Sequence, residues 1–482
     1  MSPPGHFAFY RNEVHEIRLR FTQTDFWEQL TKNYEENDDV PYIEASLTWG
    51  PFSYSRVGVR FKGNSSYNGA TTKKKPFRIK LNEFVKGQKI GGMASFNLSN
   101  GWSDPALVRE KIYDDIALDA GIVGPRANYA ALYINDQYWG LYFLGEIVNG
   151  DFLTNIFGEG NDSGNLYKAQ MGATMEDKGD DPASYKAMFE KQSNEDADDW
   201  TDMVKLIQVL NRTPAEQLPQ ELEKILDIDS VLTGLALDNL TVNLDSYAGM
   251  LAQNFFLYRR PSDNRFVFIR WDPSLAFGAF TGGGASQDQT QLALDYSAAS
   301  SGQGLPGGQT PPDGFVPPEG FVPPEGFVPP GGGQGAPAGG GMVTSTARPL
   351  ATRIWEIPQY NVRYYQIYRW LANSIDVNQV TARMTALHDM IRPWVQKDTN
   401  NLNTFQEFET SLTQDLAPAG GGGFPGGTPP GTPPDGAPQP GAGTPPDGAP
   451  AGNAGRGFGA PGLVPFFQTR VAWVRTELES KP

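Results

Sequence analysis

The chain predicts an α+β fold, with a β-rich N-terminal half and a helical C-terminal half. Three observations support it. Residues 10–60 alternate apolar and polar side chains with the period of strands, and further strand patterns follow as far as Ile147. From Asp181 to Asn243, and again over 349–416, apolar side chains recur at helical spacing. Where the two patterns meet stands an aromatic-rich β-hairpin, Asn254–Arg259 and Phe266–Trp271, turning at Pro261–Asn264.

The first strand is read from Val14 to Phe21, with Ile17, Leu19 and Phe21 on one face. Thr24-Asp25 opens a short helix carrying Phe26, Trp27 and Leu30. Tyr42–Trp49 and Tyr54–Phe61 are further strands, and together these predict an antiparallel β unit. The last strand sets Val57, Val59 and Phe61 against Arg60 and Lys62. A polar loop, Gly63–Ala70, follows; its backbone N–H groups suit the approach of a phosphate. In the next strand, Lys75–Leu81, Lys75 is in phase with Phe77, Ile79 and Leu81. An ammonium on an apolar face calls for a carboxylate or phosphate partner. The alternative is that Lys73, Lys74 and Lys75 form a solvated basic run.

Ser103-Asp104-Pro105 reads as a helix start, and Gly121 as its stop. A hairpin is expected from Tyr129–Ile134 and Leu141–Ile147 around Asn135-Asp136, with Glu146 near its end. Asp151–Phe157 reads as a helix and Leu166–Lys168 as a short strand. Trp200–Leu210, Pro219–Leu226 and Ser230–Asn243 read as helices.

Acids lie just outside both ends of the central hairpin: Asp245 before it and Asp272 directly after it, while Asn254 opens the first strand. The outer ends of a hairpin meet, so these three should converge. Oxygen donors of this kind suit a hard cation such as magnesium or calcium. Their order is that of a phosphoryl-transfer site: a catalytic Asp, a metal-binding Asn, then a metal-binding Asp. The structural alternative makes Asp245 and Asn254 turn formers and Asp272 a cap on the bend at Pro273.

Composition narrows the function classes. A net charge of −16, from 55 acids and 39 bases, argues against a general nucleic-acid binder. The absence of cysteine excludes disulfides, thiolate metal sites and a cysteine nucleophile. His6, His15 and His388 are scattered on no motif, which disfavours a histidine triad or zinc site. No apolar run approaches transmembrane length, and MSPPGHFAFY does not read as a signal peptide.

Two Gly/Pro-rich tracts interrupt the second half. The first carries GFVPPE at Gly314 and Gly320 and GFVPPG at Gly326; the second repeats GTPPDGAP, complete at Gly443. Such composition buries too little apolar surface to offset ordering, so disordered surface insertions are expected. The expected organisation is therefore 1–180, β-rich with the phosphate loop; 181–280, helical with the hairpin; insertion 281–348; helices 349–416; insertion 417–462; and a closing helix 463–482. Phe315, Phe321 and Phe327 suit repeated weak contacts with a partner surface, and Thr428, Thr432 and Thr444 are candidate self-phosphorylation sites.

Several motifs, taken in order, resemble the spore coat protein H (CotH) kinase family. They are Gly58-Val59-Arg60-Phe61-Lys62-Gly63-Asn64-Ser65-Ser66, Lys74-Lys75-Pro76-Phe77-Arg78-Ile79-Lys80-Leu81, Ile134-Asn135 with Trp139–Tyr142 and Glu146, Asn243-Leu244-Asp245, Asn254–Tyr258, and Trp271-Asp272 with Phe277-Gly278. The resemblance implies a two-lobed, atypical protein-kinase-like fold. It implies ATP- and Mg²⁺- or Mn²⁺-dependent phosphoryl transfer to exposed Ser/Thr of secreted or surface proteins, outside the cell or in its envelope. It makes Asp245 the catalytic base and Asp272 and Asn254 the metal ligands. Lys75, Arg60, Lys80, Ser65 and Glu146 become the nucleotide-binding set, with Lys75 chosen among the strand's lysines by its alternation. Ser274 stands where family members often carry a second acid. A non-catalytic surface adhesin or coat protein of the same fold is the alternative, and a calcium that only holds the lobes together is a third reading.

Overall fold

The structure, a computed structural model, describes residues 7–37, 39–280, 288–299, 345–417 and 459–482. A short helix α1 (Phe7–Tyr10) precedes β1 (Val14–Arg20), α2 (Phe26–Glu36), β2 (Ile43–Trp49), β3 (Phe52–Phe61), the single turn α3 (Ser65–Asn68), β4 (Phe77–Lys80) and β5 (Ser95–Ser99). Then come α4 (Arg109–Asp119), β6 (Ala127–Ile134) and β7 (Gln137–Gly145). These seven strands close into a barrel in the order β1-β2-β3-β4-β5-β7-β6. The alternating side chains foreseen for β1, β3 and β4 fill it: Ile17, Leu19, Val57, Val59, Phe61, Phe77 and Ile79 are all buried inside.

The expected antiparallel pattern holds for every neighbouring pair of the barrel except one. β1 runs parallel to β6, with Val14 opposite Tyr129 and Leu19 opposite Ile134. A parallel pair needs a long crossover, here most of the barrel itself, and strand periodicity carries no sign of it.

Beyond the barrel lie α5 (Gly150–Phe157), β8 (Leu166–Ala169), β9 (Phe189–Lys191), α6 (Thr201–Arg212), α7 (Leu218–Leu222) and α8 (Ile228–Leu240). The hairpin β10 (Phe255–Arg259) and β11 (Phe266–Arg270) joins β8 and β9 in a second sheet ordered β11-β10-β8-β9. Both faces of the hairpin are covered. Phe255, Leu257, Phe266 and Phe268 enter the large core of the helical half, while Phe256, Tyr258, Val267 and Ile269 pack with Val148 and Phe152. This two-sided burial is why both strands read as continuous apolar runs. The half is completed by α9 (Pro349–Trp355), α10 (Pro358–Ser374), α11 (Val377–Gln396), α12 (Phe405–Ser411) and α13 (Leu463–Glu479). α8 packs between α10 and β11, which sets the loop after it against the hairpin ends. Among the described residues no helix is long and apolar enough to cross a membrane.

Three expectations need correction. The helix expected at Ser103-Asp104-Pro105 begins at Arg109. Ser103 and Leu107 both take positive φ, and Asp104 accepts hydrogen bonds from the backbone of Ala106, Val108 and Arg109, so the intervening residues form turns rather than helix. The buried lysine is Lys74, not Lys75: Lys74 is fully enclosed and paired with Asp398 of the segment after α11. Within the first Gly/Pro-rich tract, 288–299 is folded, with Leu294, Ser297 and Ala298 buried. The GFVPPE repeats and Thr428, Thr432 and Thr444 lie outside the described residues.

Candidate functional site

Asp245 sits in the loop between α8 and β10. That loop is held by backbone bonds from Phe277 to Thr241 and from Gly278 to Val242, at 2.6 and 3.3 Å. The buried Asp245 carboxylate accepts Gln253 Nε2 at 2.6 Å and Asn254 Nδ2 at 2.9 Å, and Asn254 also donates to the Asp245 carbonyl at 2.7 Å. Asn254 and Asp272 occupy the two outer ends of the hairpin, joined by a Trp271 N–H to Asn254 carbonyl bond of 3.1 Å. Both have left-handed backbones, φ 59° and 46°, a region that Asn and Asp tolerate better than most residues. The turn at each end swings the side chain out of its strand row. Burial pushes the Asp245 pKa up to about 7; its hydrogen bonds from Gln253 and Asn254 oppose the shift, and the negative charge of Asp272 adds to it.

Asp272 opens onto a small cavity of about 40 Å³ that it shares with Lys62, Ser66, Asn100, Asp104 and Glu110. Lys62 follows β3 directly, and Gly63, at φ 79°, turns the chain away behind it. Glu110 comes from the first turn of α4. Burial lowers the Lys62 pKa, and Asp272 and Glu110 counter the shift. Burial, together with Asp272 and Asp114, raises the Glu110 carboxyl well above its ordinary range. Ser274 Oγ donates to Asp272 Oδ1 at 2.7 Å, so a hydroxyl rather than a second acid supports that carboxylate.

Two separate cavities flank the outer face of β5. Ser95, Asn97 and Ser99 alternate outward while Phe96 and Leu98 enter the barrel. Ser99 lines the cavity of Asp272. Asn97 accepts Arg78 Nε at 3.2 Å. Ser95 lines a larger cavity of about 510 Å³ beside Glu146, Ile147 and Asn149. Burial lowers the pKa of Arg78 and of Lys168 on β8; the charge of Arg60 depresses Arg78 further and that of Arg78 depresses Lys168, while Glu190 and Asp272 oppose the shift at Lys168. Of the three cations, Lys62 lines the cavity of Asp272, and the charges of Arg78 and Lys168 both act on it.

The structure brings Asp245, Asn254 and Asp272 together. It does not bring the expected basic residues to them. Lys75 Nζ donates to the carbonyls of Tyr67 and Ala70, both at 2.8 Å, and lies over the Tyr67 ring. Lys80 pairs with Glu83 at 2.7 Å. Arg60 donates to the Val40 carbonyl at 3.2 Å and stacks on Tyr42. Ser65 is exposed, and its neighbour Ser66 lines the cavity instead. Glu146 lines the larger cavity, and its carboxylate is gripped at both oxygens by Arg126, at 2.7 and 2.6 Å. Lys62, Glu110, Arg78 and Lys168 were the residues missed. The one sequence signal for Lys62 was its outward phase at the mouth of the Gly63 loop.

Among the described residues no three His, Cys, Asp or Glu side chains gather to hold a cation. Asp272 and the Asn254 carboxamide oxygen make a sparse oxygen-donor set. That fits magnesium, which takes one or two carboxylates and completes its shell with water and substrate phosphates.

A family profile described as CotH kinase protein matches residues 59–414. Inner spore coat protein H of Bacillus subtilis is 25% identical over 289 residues, which cover 58% of this chain and 71% of that protein. Invasin CotH3 of Rhizopus delemar is 25% identical over 257 residues, 51% of this chain and 42% of the invasin. Invasin CotH2 of the same organism is 26% identical over 196 residues, 39% of this chain and 33% of the invasin. The chain thus spans less than half the length of either invasin. The profile runs from β3 through the hairpin to α12, and on that match the chain belongs to the CotH kinase protein family.

Proposed function

We propose that the protein transfers the γ-phosphoryl group of ATP to Ser or Thr hydroxyls of proteins at a coat or cell surface. The observation that carries this reading is the meeting of Asp245, Asn254 and Asp272 beside a cavity that Asp272 shares with Lys62 and Glu110. Asp245 accepts the proton of the attacking hydroxyl while its oxygen bonds to the γ-phosphorus. The bond from that phosphorus to the β–γ bridging oxygen breaks, and ADP leaves with the electron pair. A pKa near 7 suits a base that works at neutral pH. Lys62, Arg78 and Lys168 offset the charge of the phosphates, and the 510 Å³ cavity at Glu146 is the seat for the base and ribose. Asp272 and Asn254 hold Mg²⁺ or Mn²⁺, which when bound supplies neutralising charge to the phosphoryl oxygens.

The names of the relatives, an inner spore coat protein and two invasins, favour a second reading as a non-catalytic coat or surface protein. One experiment separates the two. In a kinase, ATP with Mg²⁺ raises the melting temperature and labelled phosphate passes to a Ser/Thr-containing acceptor protein; in a purely structural protein neither occurs.

A further inference from the structure

Helix α4 presents Glu110, Tyr113 and Asp114, spaced three and four residues apart and so on one face. Each reaches a different part of the candidate site. Glu110 lines the cavity with Lys62 and Asp272. Asp114 pairs with Arg270, two residues before Asp272, and the Arg270 guanidinium also lies over the Tyr113 ring. Tyr113, 1% exposed, donates its hydroxyl to Asp238 Oδ1 at 2.6 Å. That same oxygen accepts Asn243 Nδ2 at 2.9 Å, and the Asp238 carbonyl accepts the Asn243 amide at 2.7 Å. The Asn243 carbonyl then accepts Ser246 Oγ at 2.8 Å. The bonds bracket Asp245 on both sides.

Packing alone would accept phenylalanine at 113, since the neighbouring Ile112, Ile116 and Ala117 are apolar and buried. A buried hydroxyl costs free energy unless it finds a partner, and here its partner is the oxygen that anchors the Asp245 loop. We propose that Tyr113 is a positioning residue: through Asp238 and Asn243 its hydroxyl fixes where the Asp245 carboxylate stands. The kinetic part of this rests on the phosphoryl-transfer reading above; the structural link to the loop does not.

The test compares Tyr113→Phe with Tyr129→Phe in the full chain. Tyr129 is equally buried, and its hydroxyl donates at 2.8 Å to the Leu107 carbonyl, just before α4 and away from the loop. Tyr113→Phe should lower kcat about tenfold or more while the KM for ATP stays within about twofold, because misplacing a base affects the transition state rather than nucleotide binding. Amide exchange at Asn243–Ser246 should quicken. Tyr129→Phe should lower the melting temperature comparably, with kcat within about twofold of the parent. Equal kcat for Tyr113→Phe and the parent, or losses in both variants that simply track melting temperature, would overturn the proposal. If the parent neither binds Mg²⁺–ATP nor transfers phosphate, the phosphoryl-transfer reading fails, and exchange alone then judges the link. Faster exchange at 243–246 only in Tyr113→Phe sustains it; equal exchange in both variants removes it.

Discussion

Lys74 Nζ lies 2.7 Å from Asp398 Oδ2, and both side chains are fully enclosed although 324 residues separate them. The ammonium also reaches Asn401 Oδ1 at 3.1 Å, and the same aspartate oxygen accepts the Leu141 amide at 3.0 Å. Gly140, at φ 147°, leaves room for that carboxylate, which a Cβ would meet at 2.7 Å. One ion pair thus ties β4's approach, the β6–β7 hairpin and the end of α11 together.

Breaking this pair should be costly. Lys74→Met or Asp398→Asn alone should destabilise by about 3–5 kcal/mol, because each leaves the other group buried without its partner. The double variant Lys74→Met/Asp398→Leu should recover much of that loss. Urea unfolding measures both; single variants within about 1 kcal/mol of the parent would mean that water reaches the pair.

Asp245 and Asp272 should fail differently. Asp245→Asn should lower turnover by about 10²–10⁴ while leaving Mg²⁺–ATP binding close to the parent, since a general base acts in the transition state. Asp272→Ala should also abolish the metal-dependent part of nucleotide binding. Titration calorimetry with and without Mg²⁺, beside a phosphoryl-transfer assay, distinguishes the two, and full activity in Asp245→Asn would remove it as the base.

The lysines give a paired prediction. Lys62→Met should raise the KM for ATP by roughly tenfold or more, the scale expected when a charge-assisted contact of about 1.5–3 kcal/mol is lost. Lys75→Met should leave KM nearly unchanged and instead lower the melting temperature, because its ammonium is bound to the Tyr67 and Ala70 carbonyls. The reverse pattern would return the phosphate role to Lys75.

Stability should rise on mild acidification. Burial lifts the Asp238 pKa from 3.8 to about 6, against the hydrogen bonds from Tyr113 and Asn243. A carboxyl with a raised folded-state pKa contributes stability that is complete below the unfolded value and lost as pH climbs through the folded one. The window is therefore pH 4 to 6, and for a shift of this size the swing is at most ~3 kcal/mol. Asp238→Asn should show a smaller gain in unfolding free energy between pH 6.5 and 4.5 than the parent. An equal gain in both would place the proton uptake elsewhere, Asp245 at about 7 and Asp114 at about 6 being the other candidates.

The sequence by itself determined the parts of the molecule that local chemistry controls. Alternation in β1, β3 and β4 identified the barrel's inner row, because a strand shows opposite faces at every second residue. The hairpin was legible from its two aromatic runs and its turn. With it came the meeting of Asp245, Asn254 and Asp272, since the ends of a hairpin must lie close together. Periodicity says which face of an element is buried and nothing about what covers it. Lys74 and Lys75 are adjacent in the chain, and only the return of the segment after α11, more than 300 residues later, decides that Lys74 receives the carboxylate. The basic side of the site was hidden for the same reason. Lys62 comes from the end of β3, Lys168 from β8 and Glu110 from α4; barrel closure and the docking of the second sheet bring them to Asp272. Tertiary structure alone sets such contacts, because the burial and charge coupling that define them exist only after distant segments have packed.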